Sequence, residues 1–227
     1  MFIGHFGVAM AAKHVAPAPS LGTLVMAAMW VDLMWPLFLF LGLESVDIVP
    51  GVTRVVPLDF VSYPYTHSLL AGALWAALLG GVYYALRKDR VGAAWLGALV
   101  LSHWVLDFVA HRPDLPLWPG GTARFGLGMW NSMPLTLAVE LVLFGFGAWM
   151  YARTTRARDR IGSLSFAGLL LALLIIYMSS VFGPPPPSPE AIAYTGLALW
   201  LLVAWAYWID RHRTVDSHQA FAGSAHA

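Results

Sequence analysis

Six apolar stretches of about twenty residues, near 21–43, 68–86, 91–110, 134–152, 163–182 and 191–209, contain no Lys or Arg. A helix rises about 1.5 Å per residue, so each stretch is long enough to cross the hydrocarbon core of a bilayer. Within that core the backbone must satisfy its own polar groups, and a helix does so along its interior. The pattern predicts an all-α, polytopic membrane helical bundle with about six transmembrane helices. Composition closes off the alternatives. Only 11% of the 227 residues are charged and 59% are hydrophobic, whereas a soluble domain carries about 25% charge. That excludes a cytosolic enzyme and a disordered chain. A net charge of +1 gives no broad basic face, so no nucleic-acid partner is expected. Without cysteine there is no disulfide, thiolate metal site or cysteine nucleophile.

The flanks of the stretches carry helix signals. Asn131 and Ser132 stand ahead of Pro134 as caps for the fourth span, and Ser188 precedes Pro189 for the sixth. Arg87, Lys88, Asp89 and Arg90 leave only a tight turn between the second and third. The basic residues sort by side. Ten of the 13 (Lys13, Arg87, Lys88, Arg90, Arg153, Arg156, Arg158, Arg160, Arg211 and Arg213) fall on one side, against Arg54, Arg112 and Arg124 on the other. The positive-inside rule places the larger group, and the C-terminus, in the cytoplasm, with the long loops 44–66 and 111–133 outside. Residues 1–210 read as one membrane-embedded domain and 211–227 as a disordered cytoplasmic tail, its His212, His218 and His226 solvated. Residues 3–16 are apolar but too short to span, and Lys13 sits at their C-terminal flank, where a signal peptide would carry its basic residue ahead of the apolar run. They predict a short N-terminal half-membrane helix folded back on the first span through Pro17 to Ser20. Such a hairpin sets His5 beside Asp32.

Ionisable groups inside a bilayer are costly and mark function unless they are partnered. Here they are Asp32, His103, Asp107 and Glu140, with His5, His67 and His111 near span ends. No Lys or Arg lies among them, so a metal ion or a shared proton would have to balance the carboxylates. His103 and Asp107 are four apart and share one helix face, and His111 continues that stripe. His67 precedes the second span at the same end. Pro36 cannot donate to the carbonyl of Asp32, which predicts a bend there. Taken singly, each residue also has a bland account. A membrane histidine can simply be a hydrogen-bonded packing residue, and His111 can be an ion-paired helix end. Glu140 stands alone in the chain and reads as a supporting group.

These residues carry a resemblance. His5, Asp32, the run Tyr65, Thr66, His67, Ser68 and the run Ser102, His103, Trp104, Val105, Leu106, Asp107 resemble, in order and spacing, the pattern of the membrane-bound metal-dependent hydrolases. That is the family of the LexA-binding inner-membrane protein, distantly grouped with zinc-dependent phospholipase C. The match covers roughly residues 1–111. The family's acidic motif often has two Asp after a Pro, where this chain has Asp32 alone. Its basic residues before Thr-His-Ser are replaced here by Ser62, Tyr63, Pro64 and Tyr65. The resemblance implies a bacterial inner (plasma) membrane location and metal binding by His5, Asp32, His67, His103 and Asp107, with one metal or two.

The chemistry of the residues agrees. Imidazole and carboxylate donors suit Zn, Mn or Fe, and a His-rich set leans toward Zn. No G-x-S-x-G or Ser-His-Asp grouping is present, so hydrolysis would run through metal-activated water, with His67, His103 and Asp107 as the catalytic core. Partners would be the lipid bilayer and a phospholipid or other phosphoester substrate. Other readings of the same residues are a proton- or metal-coupled transporter or permease, a haem protein with His67 and His103 as axial ligands, and a non-catalytic membrane scaffold. The orientation can be tested in this cysteine-free chain. A cysteine introduced at Arg156 should resist an impermeant thiol reagent applied from outside, whereas one at Arg124 should react.

Overall fold

The computed structural model describes residues 1–216, and it is a helical bundle with little strand. Helix α1 (Ile3–Ala12) is followed by α2 (Leu21–Ala28) and α3 (Trp30–Phe40). A hairpin of β1 (Ser45–Ile48) and β2 (Leu58–Ser62) leads to α4 (Leu69–Arg87) and α5 (Arg90–Ala110). A short pair, β3 (Leu115–Pro116) and β4 (Arg124–Phe125), precedes α6 (Met133–Thr154). Strand β5 (Thr155–Ala157), α7 (Arg160–Phe182), α8 (Pro189–Leu197), α9 (Leu199–Arg211) and β6 (Arg213–Val215) complete the described chain.

Among the described residues α4, α5, α6, α7 and the α8–α9 run are each long and apolar enough to cross a membrane. The chain is a helical membrane protein, and its exposed side chains agree. Leu74, Leu78, Val142, Phe146, Leu164 and Leu171 are large, apolar and outward-facing, as lipid contact requires. Each boundary has a local cause. Ser68 Oγ accepts the Ala71 N–H at 3.1 Å, Asp159 Oδ1 the Gly162 N–H at 2.9 Å and Ser188 Oγ the Ala191 N–H at 3.2 Å, each occupying a donor that the first helical turn leaves free. Ser132 stands at the N-cap of α6 without a side-chain bond. Lys88 adopts φ 55° and turns α4 into α5.

The first span departs from expectation. Its bend falls at Met29, where α2 and α3 meet at 55°, and not at Pro36, which lies inside an unbroken α3. The reason is tertiary. The end of α2 is held by α5, whose His103 Nδ1 lies 2.8 Å from the Ala28 carbonyl oxygen, while α3 leans the other way against α8. There Pro36 packs so closely that a Cβ on Gly196 would fall 2.4 Å from its ring. The long loops also contain paired strands that the hydropathy pattern did not reveal.

Helix α1 has ten residues, about 15 Å of rise, and is half-membrane in length as expected. It touches α2, but its principal neighbour is α6. Two glycines allow this. A Cβ on Gly147 would lie 2.0 Å from the Gly7 carbonyl oxygen, and one on Gly7 would lie 2.4 Å from that of Leu143, so the backbones meet directly. The tail also differs. Residues 213–215 form β6 on β5, and Arg213 is buried, donating to Thr155 and to the Gly162 carbonyl. His212 pairs with Asp159 at 2.7 Å. Burial of the Arg213 guanidinium and the strand bonds hold residues 211–216 against the bundle. His218 and His226 lie outside the described residues. Replacing Gly147 by Leu should overpack the α1–α6 crossing and cost about 1–3 kcal/mol, read as a lowered unfolding temperature in detergent. Gly145→Leu, where a Cβ meets nothing within 4 Å, should leave it unchanged.

Candidate metal centre

At the end of the bundle that carries the long loops, α1, α3, α5 and the segment before α4 bring imidazoles and carboxylates together. Helix periodicity places His103 and Asp107 on one buried face of α5, with His103 Nε2 3.2 Å from Asp107 Oδ2. His67 comes from the turn that ends at the Ser68 cap, and its Nε2 is 3.4 Å from Asp32 Oδ1 and 3.9 Å from Asp107 Oδ2. Asp32 sits in the first turn of α3, with Oδ1 3.6 Å from His103 Nε2. His5 stacks on His103 with ring centroids 3.8 Å apart, and its Nε2 lies 3.2 Å from Asp107 Oδ1. Two triads of ligand-type atoms result, His5 with His103 and Asp107, and Asp32 with His67 and His103, each within 4.8 Å.

All five residues singled out in the sequence thus meet in one cluster. Their internal pairing is different from the hairpin expectation. His5 and Asp32 belong to separate triads and are joined through His103, because α1 packs on α6 and the first span turns at Met29.

The second nitrogen of each imidazole sets its tautomer. His103 Nδ1 donates to the Ala28 carbonyl at 2.8 Å. His67 Nδ1 is 2.7 Å from Thr66 Oγ1, which itself donates to Glu44 Oε2 at 2.7 Å, so the ring is the donor in the first bond. Glu44 also accepts the backbone N–H groups of Tyr65 and Thr66 at 2.8 and 2.9 Å, which fixes the whole turn. His111 Nδ1 faces Asp114 Oδ1 at 2.9 Å, and its Nε2 lies 3.8 Å from Asp107 Oδ2. The Tyr63 phenol also donates to Asp114 Oδ1, at 2.7 Å. Burial, and then the Asp114 charge, raise its pKa above the ordinary tyrosine value, so it remains a donor. Burial lowers the pKa of His111 and favours its neutral ring. Three rings therefore commit Nδ1 and direct Nε2 toward the carboxylates.

His111, which by chain position can be an ion-paired helix end, belongs to the cluster and is hydrogen-bonded to Asp114. Its place depends on the loop after β4, where the Leu127 and Gly128 N–H groups bond the Phe108 and His111 carbonyls at 2.7 and 2.6 Å, and on Trp130, whose ring lies 4.2 Å from the imidazole. Glu44 gives no signal in the sequence beyond being a lone acid between apolar segments, and Thr66 enters there only as part of the Thr-His-Ser run, without its role toward His67. Glu140 supports from outside, accepting the Phe2 and Gly4 N–H groups at 2.9–3.1 Å and holding the start of α1 below His5. The Met1 amino group is 2.5 Å from Asp107 Oδ1.

The residues fit a divalent cation. His103 Nε2 and His5 Nδ1 are buried without a hydrogen-bond partner. The former approaches Asp107 Oδ2 at 3.2 Å. A tetrahedral site with bonds of about 2.0–2.1 Å separates its ligand atoms by about 3.3–3.4 Å, close to the 3.2, 3.4 and 3.6 Å separations here. They fit a bis-imidazole haem poorly, since carboxylate oxygens of Asp107 and Asp32 stand 3.2 and 3.6 Å from His103 Nε2, where a porphyrin would have to lie. Comparison with family models, curated proteins and solved structures finds no match to this chain.

Proposed function

We propose that this protein is a membrane-embedded metal-dependent hydrolase that cleaves phosphoester bonds, in lipid headgroups or in substrates reaching the membrane surface. The observation that carries the reading is the convergence of oriented imidazoles. The Nε2 atoms of His67 and His103 stand 3.2–3.9 Å from Asp32 and Asp107, and their Nδ1 atoms are already committed elsewhere. Asp32, His67 and His103, one of the two triads, would hold the metal with Asp107 beside His103 Nε2, and the all-nitrogen-and-oxygen set, rich in histidine, favours zinc. Because His103 has one free nitrogen, it serves one ion, and His5 flanks Asp107 at Oδ1. When bound, the metal would supply Lewis acidity toward a phosphoryl oxygen and a water made nucleophilic near neutral pH.

The chain's own residues supply the rest. The Asp32 side chain is 21% exposed while those of His67, His103 and Asp107 are nearly buried, so Asp32 marks the side from which substrate and water enter. Its second oxygen would accept a proton there. The Glu44–Thr66 relay holds the His67 ring and prevents its rotation, and the Ala28 carbonyl does the same for His103. The burial of Asp107 keeps bulk water from competing for its oxygens.

Protein purified without a histidine tag should contain about one zinc-class ion per chain by elemental analysis. It should lose that ion in the His103→Ala, Asp107→Asn double variant while remaining monodisperse. Hydrolysis of a chromogenic phosphodiester should vanish on chelation and return with added Zn. Metal retained by the double variant would refute the site. Thr66→Val removes only the relay hydroxyl, and metal affinity should fall by about 10–100-fold with the helical content unchanged.

A further inference from the structure

At the arginine-rich end, away from the histidine cluster, a cavity of about 520 Å³ opens between α4 and α9 over the start of α2. Its floor is a run of hydroxyls. Ser20 Oγ lies 2.8 Å from Thr23 Oγ1, which lies 3.0 Å from Tyr207 OH. The Tyr207 ring rests on Gly22, where a Cβ would fall 2.3 Å from it, so that phenol is fixed in place. Deeper, the walls turn apolar with Met26, Leu79, Val82 and Leu96. From Arg87 to Leu79 the groove follows α4 for about 12 Å. One turn further along α4, Trp30 packs against Trp75 of α4 and Trp200 of α9, with ring centroids 5.7 and 6.3 Å apart.

The mouth carries Arg87 and Arg211, both exposed, and neither makes an ion pair among the described residues. The one carboxylate in the lining does not offset them. Asp210 is held by Lys13 Nζ at 3.3 Å and by the Tyr151 hydroxyl at 3.1 Å. Two exposed guanidiniums, neither in an ion pair among the described residues, stand above hydroxyl donors and an apolar channel, and so match a molecule with a phosphate head and a hydrocarbon tail. Guanidinium groups pair with phosphate oxygens in bidentate fashion, and basic pockets between membrane helices recruit anionic headgroups.

We propose that this cavity is a binding site for one anionic phospholipid, its phosphate between Arg87 and Arg211, its glycerol against the Thr23 and Tyr207 hydroxyls and one acyl chain along Leu79 and Val82. The site is independent of the reaction proposed at the other end.

The test is native mass spectrometry of the full chain in detergent, titrated with dioleoyl phosphatidylglycerol or with dioleoyl phosphatidylcholine. The glycerol lipid should be retained as a single adduct with a preference of about tenfold or more. The Arg87→Gln, Arg211→Gln double variant should lose that preference, and Arg158→Gln, Arg160→Gln, which removes equal charge at the same end outside the cavity, should keep it. Val82→Trp should fill the groove and abolish the adduct with every charge in place. Equal preference in the Arg87/Arg211 variant, or equal loss in the Arg158/Arg160 control, would overturn the site. Full displacement of the lipid by millimolar glycerol 3-phosphate would overturn the lipid assignment in favour of a free phosphate ester.

Discussion

The hydrogen bond from His103 Nδ1 to the Ala28 carbonyl is the interaction on which the site turns. A carbonyl at the end of an interrupted helix has no partner within its own segment, and in a bilayer no water supplies one. The break after α2 therefore needs a donor from elsewhere, and α5 provides it with the ring that most needs its tautomer set. One bond satisfies an orphan acceptor, ties the first span to α5 and leaves Nε2 of His103 facing two carboxylates. The same break begins a new helix at Trp30, so Asp32 sits in its first turn, where the positive end of the helix dipole favours an anion.

Around that bond the remaining groups are held by contacts remote from any chemistry. Glu140 closes the start of α1 and the Gly7–Gly147 crossing fixes its depth, which together determine where His5 meets His103. Glu44 gathers the turn before α4, and the loop after β4 covers the end of α5. The cluster is assembled from four separate chain segments, α1, α3, the turn before α4 and α5. The arrangement is one of prior positioning, in which few side chains would have to reorganise on ligand binding.

Much of this was legible in the chain. The spans could be read because bilayer burial selects long apolar runs and excludes Lys and Arg, a signal that needs no tertiary knowledge. The five cluster residues were legible for the complementary reason that ionisable groups in such runs are rare, and the spacing of His103 and Asp107 is set by helix periodicity alone. The failures have a common source in tertiary contact. Pro36 carries the local signal for a kink, yet the turn occurs at Met29, where neither Gly nor Pro stands and where His103 supplies the compensating bond. His111 looks like a capped helix end until the loop of Leu127 and Gly128 folds over it. Thr66 and Glu44 are 22 residues apart, and nothing periodic links them. The placement of Arg213 against Tyr151 and Phe166 likewise needs α6 and α7 to be adjacent first.

The β5–β6 ribbon has a mechanical consequence. It joins Thr155 to Val215 and Ala157 to Arg213, so everything from α7 to α9 forms a closed circuit fastened at its base by backbone bonds and a buried guanidinium. The single connection at the opposite end of that circuit is the proline-rich segment around Pro184 to Pro187, which is largely exposed. A protease that severed it would open the circuit without releasing either part. The fragment beginning with α8 would stay anchored through α9 and the ribbon, while α7 stayed continuous with α6. The two pieces would travel together until a denaturant dissolved the clasp. Covalent continuity across that segment is therefore dispensable once the bundle has formed, and the segment can vary in length or composition without loosening the helices it joins.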